Sequence, residues 1–465
     1  MPGIIAQVSA ELLPAHFAKL DENRDGEVDR AEWSRRMGAV MQSRGSATFV
    51  AECFKSLRAV RDAYGDGSLL HPWIDIDFRS LGQERRKIDG ADKRGITSPQ
   101  LSKLMHFIAS HADKDGNLQG WWDRFTKKPL HKDTINLYAV TDWIIKPSTA
   151  KEACSFVELV VDEGTTAQRP QWFISHWWGE PVLDFIKCTE EHARVRDLGE
   201  DACYWVCAYA NNQHELGKDI GSDPRESSFY QALALCDGVL VVLDAKATPF
   251  TRIWCAFEEA TAVTMDDAAR PGKGHFLLDI ATVPSGNPEK AELLTDGLSP
   301  EEQNMEAERQ EKGYGDSGWL AKSEREQGFP IEVVREALKK ISVVNATATE
   351  DEDKKHILNS IAGREGSGLD LEPLATHPQY DEVDQTLKSI FAEAAIRKAA
   401  AEGESLTEFA KALREGTARK ALRFTFSELK NFSAEDLKAV AEGLPETLES
   451  LTAAFERCAQ LADVS

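Results

Sequence analysis

Between residues 171 and 280, short apolar runs alternate with helical segments, and this alternation restricts the fold more than any other feature of the chain. Gly238-Val-Leu-Val-Val-Leu243 holds no polar side chain and is rich in β-branched residues. It reads as a strand buried on both faces. Gln171–Ser175, Tyr204–Tyr209 and His275–Ile280 read the same way. Helical spacing fills the gaps: Val182, Leu183, Phe185 and Ile186 after Glu180; Phe229, Leu233 and Leu235 after a capping Ser227-Ser228 pair; and Arg252 to Val263. Strands separated by helices predict a parallel, doubly wound, flavodoxin-like sheet. Ligands of such sheets sit beyond the carboxyl ends of the strands. Here those ends are Ser175–Glu180, Asn211–His214 and Asp244–Arg252.

The chain has 465 residues, enough for about three domains. The expected architecture is multidomain, α plus α/β: a helical module over 1–150, the α/β domain over 151–285, an acidic linker with packing helices over 286–365, and a helical, repeat-like tail over 366–465. A net charge of −23 argues against nucleic acid as a partner, because phosphate binding needs a basic surface. The same excess of carboxylates suits cations. Eight cysteines without a CxxC pair predict reduced thiols. The N-terminus carries no basic, apolar leader, and no run approaches 18 apolar residues, so the expectation is a cytoplasmic protein without membrane insertion. His176, His192, His214 and His275 are scattered and show no metal-binding spacing.

A calcium loop needs oxygen ligands at alternate positions, a sharp turn midway and a bidentate carboxylate at the end. Residues 21–32 meet each demand. Asp21, Asn23 and Asp25 occupy positions 1, 3 and 5, Gly26 allows the turn, and Glu27 offers its carbonyl. Asp29 reaches the ion directly or through water, and Glu32 closes the shell. Apolar residues recur at helical spacing on both sides (Leu12, Leu13, Phe17, Leu20; Trp33, Met37, Val40, Met41). The segment resembles the EF-hand family, which implies Ca2+ as cofactor. A partner hand is sought at 111–122, where Asp113-Lys-Asp115-Gly116 has the right middle but His111 and Trp122 stand at the ends. It reads as a degenerate, structural loop; Asp62–Trp73 is a fainter remnant.

Within the α/β region, Phe173-Ile-Ser175-His176, the Trp205 strand, the Leu240–Leu243 strand and Arg252-Ile-Trp254-Cys255-Ala-Phe-Glu258 resemble the Toll/interleukin-receptor (TIR) superfamily. The resemblance covers about 155–285. It implies a signalling or scaffold domain that works by self-association. Some members cleave NAD+, and position by position their catalytic glutamate falls on Glu258. In that case Ser175, His176, Trp177, Arg252 and Trp254 would bind the nucleotide substrate, by ring stacking and by pairing with the pyrophosphate.

Near the C-terminus, Phe409–Gly416 followed by Ala421–Phe426 is echoed by Leu437–Gly443 followed by Ser450–Phe455, at an offset of 27 to 29 residues. A helix and then a short strand at this period resembles a leucine-rich repeat. The expected function is calcium binding coupled to a TIR-like signalling module, with a calcium-regulated NAD+ hydrolase as the alternative.

Overall fold

A computed structural model describes residues 85–161, 167–216, 221, 223–265, 273–311, 317–416, 420–455 and 458. The loop Asp21–Glu32, its flanking helices and the 62–73 remnant lie outside the described residues. The strands in chain order are β1 (Ile96–Thr97), β2 (Asn117–Trp122), β3 (Pro129–His131), β4 (Trp172–His176), β5 (Cys203–Trp205), β6 (Gly238–Leu243), β7 (Leu277–Thr282), β8 (Glu292–Leu294), β9 (Ala421–Thr425) and β10 (Ser450–Ala454). The described residues divide into two compact units: 107–148, and 85–106 together with 149 onward.

The larger unit is built on a six-stranded sheet of order β1-β5-β4-β6-β7-β8. The four central strands are parallel, and the two edge strands run antiparallel to their neighbours. Taken alone, the parallel strands follow the order second, first, third, fourth, which is the flavodoxin-like winding. Every residue of β4 and β6 is buried, which explains their unbroken apolar runs. Gly238 is required by a close approach: a Cβ there would stand 2.5 Å from the Leu277 carbonyl oxygen and 2.7 Å from the Trp172 ring. The crossover helix Val182–Val195 buries Val182, Phe185, Ile186, Thr189 and His192, one stripe at helical period. Ser227 caps Ser228–Leu235 by accepting from the Tyr230 amide.

Two expectations for the larger unit are corrected. The strand read over Tyr204–Tyr209 ends at Trp205, and Cys207–Ala210 forms a helical turn closed by amides 209 and 210 on the Val206 carbonyl. Apolar runs this short do not distinguish a buried strand from a buried helix. The acidic stretch 286–330 is not a solvated linker. It supplies β8 and the helices Pro300–Glu311 and Ser317–Glu326, where two acids pair with bases, Glu302 with Arg325 at 2.8 Å and Glu326 with Lys322 at 2.5 Å. Ser299 and Glu302 cap the first of these helices reciprocally, a signal present in Ser299-Pro-Glu-Glu302. The helix Asp351–Ile361 starts after Glu350 without a side-chain cap.

After the 25-residue helix Pro378–Glu402, the repeat is realised as helix Thr407–Glu415, β9, helix Ala434–Glu442 and β10. The strands pair parallel, Ser450 opposite Ala421 through Ala454 opposite Thr425, at the 29-residue offset of the repeat.

In the smaller unit, 111–122 is not a helix–loop–helix. Asp113 Oδ1 accepts the amides of Asp115 and Asn117, both at 2.9 Å, and the chain then enters β2, which pairs antiparallel with β3. Trp122 ends a strand instead of beginning an exit helix, and the His111 ring stays on its own helix at the Phe107 carbonyl. Trp121 stacks on Trp143 at 5.6 Å.

Candidate functional site

The sheet reverses its winding between β4 and β6, so the crevice rule points to the carboxyl ends of these two strands. Ser175 and His176 end β4, and both are buried. Burial pushes the His176 imidazole down to about 4, so the ring is neutral across the physiological range. It packs against Phe185 at 4.9 Å, and Nε2 has no hydrogen-bond partner. Trp177 folds its indole over Gly179, where a Cβ would collide with the ring. Trp178 donates its indole N–H to Cys207 Sγ at 3.1 Å.

The helix Ile253–Thr264 brings the remaining candidates. Its N-cap is Arg252, half-buried, and the chain beside it is tied to a neighbouring segment: the Ile253 amide donates to the Thr347 carbonyl and the Thr347 amide to the Thr251 carbonyl. Trp254 stacks on Phe229 at 4.9 Å and donates its indole N–H to Asp353 Oδ2 at 3.0 Å. Cys255 Sγ lies 3.6 Å from the His176 carbonyl.

Glu258 and Glu259 are 4% and 2% exposed, so both are core residues. Helical geometry sends them apart. Glu258 lies toward Ser175 and the Cys207 thiol, whereas Glu259 feels the Asp384 carboxylate of the Pro378–Glu402 helix. Burial pushes the Glu258 carboxyl up to about 8. The Ser175 hydroxyl offsets part of that rise, although it meets no acceptor in full hydrogen-bond geometry. Glu259 is raised well above the usual carboxylate range by burial and then by Glu258. Glu180 is raised likewise, by burial and then by Asp244 and Asp184.

Glu258 Oε2, Glu259 Oε1, Glu180 Oε2, Ser175 Oγ, His176 Nε2 and Tyr209 OH are all buried without a hydrogen-bond partner among the described residues. Such atoms are costly and concentrate at functional positions. The arrangement can donate a proton from a neutral carboxyl. It meets a negative charge need, such as steadying an oxocarbenium-like centre, only when Glu258 ionises. Sequence reasoning placed Ser175, His176 and Glu258 together and missed Glu180, Tyr209 and the partition of Glu258 from Glu259. Polar residues embedded in apolar runs were the available signal. Asn211 and Gln213 hold the fold instead, Asn211 Oδ1 accepting from the Ser228 hydroxyl and Gln213 donating to the Cys207 and Ala208 carbonyls.

A grouping able to hold a metal ion lies elsewhere. Glu352, His356 and Asp370 bring one ligand atom each within 4.8 Å of one another, with Glu352 and His356 one turn apart on the Asp351–Ile361 helix. The sequence reading passed over His356. The seven cysteines among the described residues are free thiols. No helix among the described residues is long and apolar enough to cross a membrane. No family model, no curated protein and no solved structure matches the chain.

Proposed function

We propose that this protein binds calcium through Asp21–Glu32 and couples the ion to a TIR-like parallel-sheet domain that serves as a signalling or scaffold module. The observation that carries the calcium half is the ligand spacing itself, Asp21, Asn23, Asp25, Glu27, Asp29 and Glu32 around Gly26. The non-enzymatic half is supported by the engagement of the nucleotide-binding candidates. Trp254 is held by Phe229 and Asp353, and Glu258 carries a proton at neutral pH. Isothermal titration with Ca2+ tests the first half. One site is expected, with Kd on the order of 10⁻⁷ to 10⁻⁵ M, lost in Glu32→Gln; no heat in the wild type removes the claim. Light scattering with and without Ca2+ tests self-association.

One observation favours the alternative, a calcium-regulated NAD+ hydrolase. Glu258 Oε2 is a buried carboxyl oxygen without a hydrogen-bond partner, beside Ser175 at the sheet's switch point. Hydrolysis of NAD+ would need the ionised form of Glu258 to steady the ribosyl cation as nicotinamide leaves. Nicotinamide release should then rise as pH passes about 8 and vanish in Glu258→Gln, with Glu259→Gln as the neighbour control. Absence of nicotinamide at pH 7 and pH 9, with and without Ca2+, leaves the scaffold reading.

A further inference from the structure

The Asp351–Ile361 helix and the segment after it bring an imidazole and two carboxylates to one point. Glu352 and His356 stand at i and i+4, so their side chains share one face of the helix. Gly363, at a φ of 76°, follows the end of the helix, and the returning chain carries Asp370 back to His356. His356 Nε2 lies 3.1 Å from Asp370 Oδ1 and 3.7 Å from Glu352 Oε1. Two ligand atoms at tetrahedral positions around one Zn2+ stand about 3.3–3.6 Å apart, given bonds of about 2.0–2.2 Å. The spacings around the imidazole nitrogen are therefore close to those that a single ion bridges.

The loop ligand is held by the same helix that supplies the other two. Asn359 is fully buried and donates to the Leu369 and Leu371 carbonyls, at 2.8 and 2.7 Å, on either side of Asp370. Arg364 in turn donates to Asn359 Oδ1 at 2.7 Å and to the Glu372 carbonyl at 3.1 Å. Such backing fixes a ligand before the ion arrives. One helical turn beyond His356, Ser360 is 1% exposed, and its Oγ has no hydrogen-bond partner among the described residues. A buried hydroxyl in that state is the kind of group that an ordered water satisfies. The donor set selects the ion. Ca2+ and Mg2+ take oxygen ligands, whereas an imidazole among carboxylates suits a borderline cation such as Zn2+. Three protein ligands leave the fourth tetrahedral position to water, and the exposed Glu352 and Asp370 side chains give the ion a way in.

We propose that Glu352, His356 and Asp370 form a Zn2+ site that ties residues 366–371 to the Asp351–Ile361 helix. The site is separate from the 21–32 loop and from the Glu258 group, and it stands without either reading. The full chain, reduced and stripped of metal, is titrated with Zn2+ against a chromophoric chelator. Saturating Ca2+ is present throughout, so that the 21–32 loop does not compete. One equivalent is expected, with Kd on the order of 10⁻⁶ M or tighter. His356→Gln and Asp370→Asn should each weaken it by about tenfold or more. His275→Gln, at an exposed histidine beside the Asp296 carboxylate, should leave it unchanged. Zn2+ should also raise the melting temperature of the wild type but not that of His356→Gln. Circular dichroism verifies that each variant is folded. Absence of Zn2+ binding, several weak equivalents, full affinity in folded His356→Gln or Asp370→Asn, or an equal loss in His275→Gln would each overturn the proposal.

Discussion

Asp279 and Glu258 are acids on elements of one sheet domain, both removed from water, and they respond to that removal in opposite directions. Asp279, on β7, is met by Arg196, which places two nitrogens on its carboxylate at 2.6 and 2.7 Å, by His192 Nε2 at 3.1 Å and by the Asp296 amide at 2.8 Å. Burial alone would raise it, but His192 and Arg196 hold it at about 2. Among the described residues Glu258 meets no cationic partner of that kind, and burial carries it up to about 8. Burial thus sets the stakes, and the partners decide which protonation state the fold keeps. One acid is a clamp that ties the Val182–Val195 crossover to β7. The other is a proton held in the core.

The largest effect that would break this contrast is Asp279→Asn. It strands the Arg196 guanidinium in the core and should cost roughly 3–5 kcal/mol in a urea melt at neutral pH. A loss below about 1 kcal/mol would mean that the clamp adds nothing beyond packing. In the wild type its contribution is present above pH 3.8 and fades as pH falls through about 2.

Glu258→Gln sharpens the contrast from the other side. The folded group keeps its proton up to about 8 whereas the unfolded one releases it near 4.5, so wild-type stability falls as pH rises between those values. Glu259 and Glu180, raised likewise, add their own share to that fall, so the glutamine should lessen the slope rather than abolish it and stabilise the protein at pH 8 by roughly 2–4 kcal/mol. A melting temperature at pH 8 no higher than the wild type's would refute the buried proton. The smallest effect is expected at Trp254→Phe, which retains the stack on Phe229 but loses the bond to Asp353. About 1–2 kcal/mol is expected from thermal melts, with the slope between pH 4.5 and 8 unchanged.

Much of the sheet was legible because its strands are apolar throughout. β6 was read residue for residue, and β4 and β7 lie within two residues of their expected ends. The cap at Ser227 and the repeat at residues 409–455 were likewise readable from local chemistry. β8 was not, since Glu292-Leu-Leu294 is short and follows a charged stretch whose pairing with lysine and arginine is decided only in three dimensions. The candidate site was half legible. Spacing brought Ser175, His176 and Glu258 to one edge, but it could not say which of two adjacent glutamates turns inward to Ser175. Asp279 was overlooked altogether, although a lone carboxylate inside Leu277-Leu-Asp-Ile280 already asks for a partner.

The parallel pairing of β9 with β10 bears on how this chain can change length. Side chains alternate along each strand, and Leu422 and Phe424 face the core. Inserting a single residue before Leu422 would turn both off the core face, to the side where Arg423 now meets Trp319, and bring Arg423 onto it. Duplicating a whole 29-residue stretch, by contrast, lays one more helix and one more strand beside the last and leaves every existing register intact. This end of the molecule therefore accepts growth in whole units and resists it in single residues, so that the smaller insertion does the greater damage.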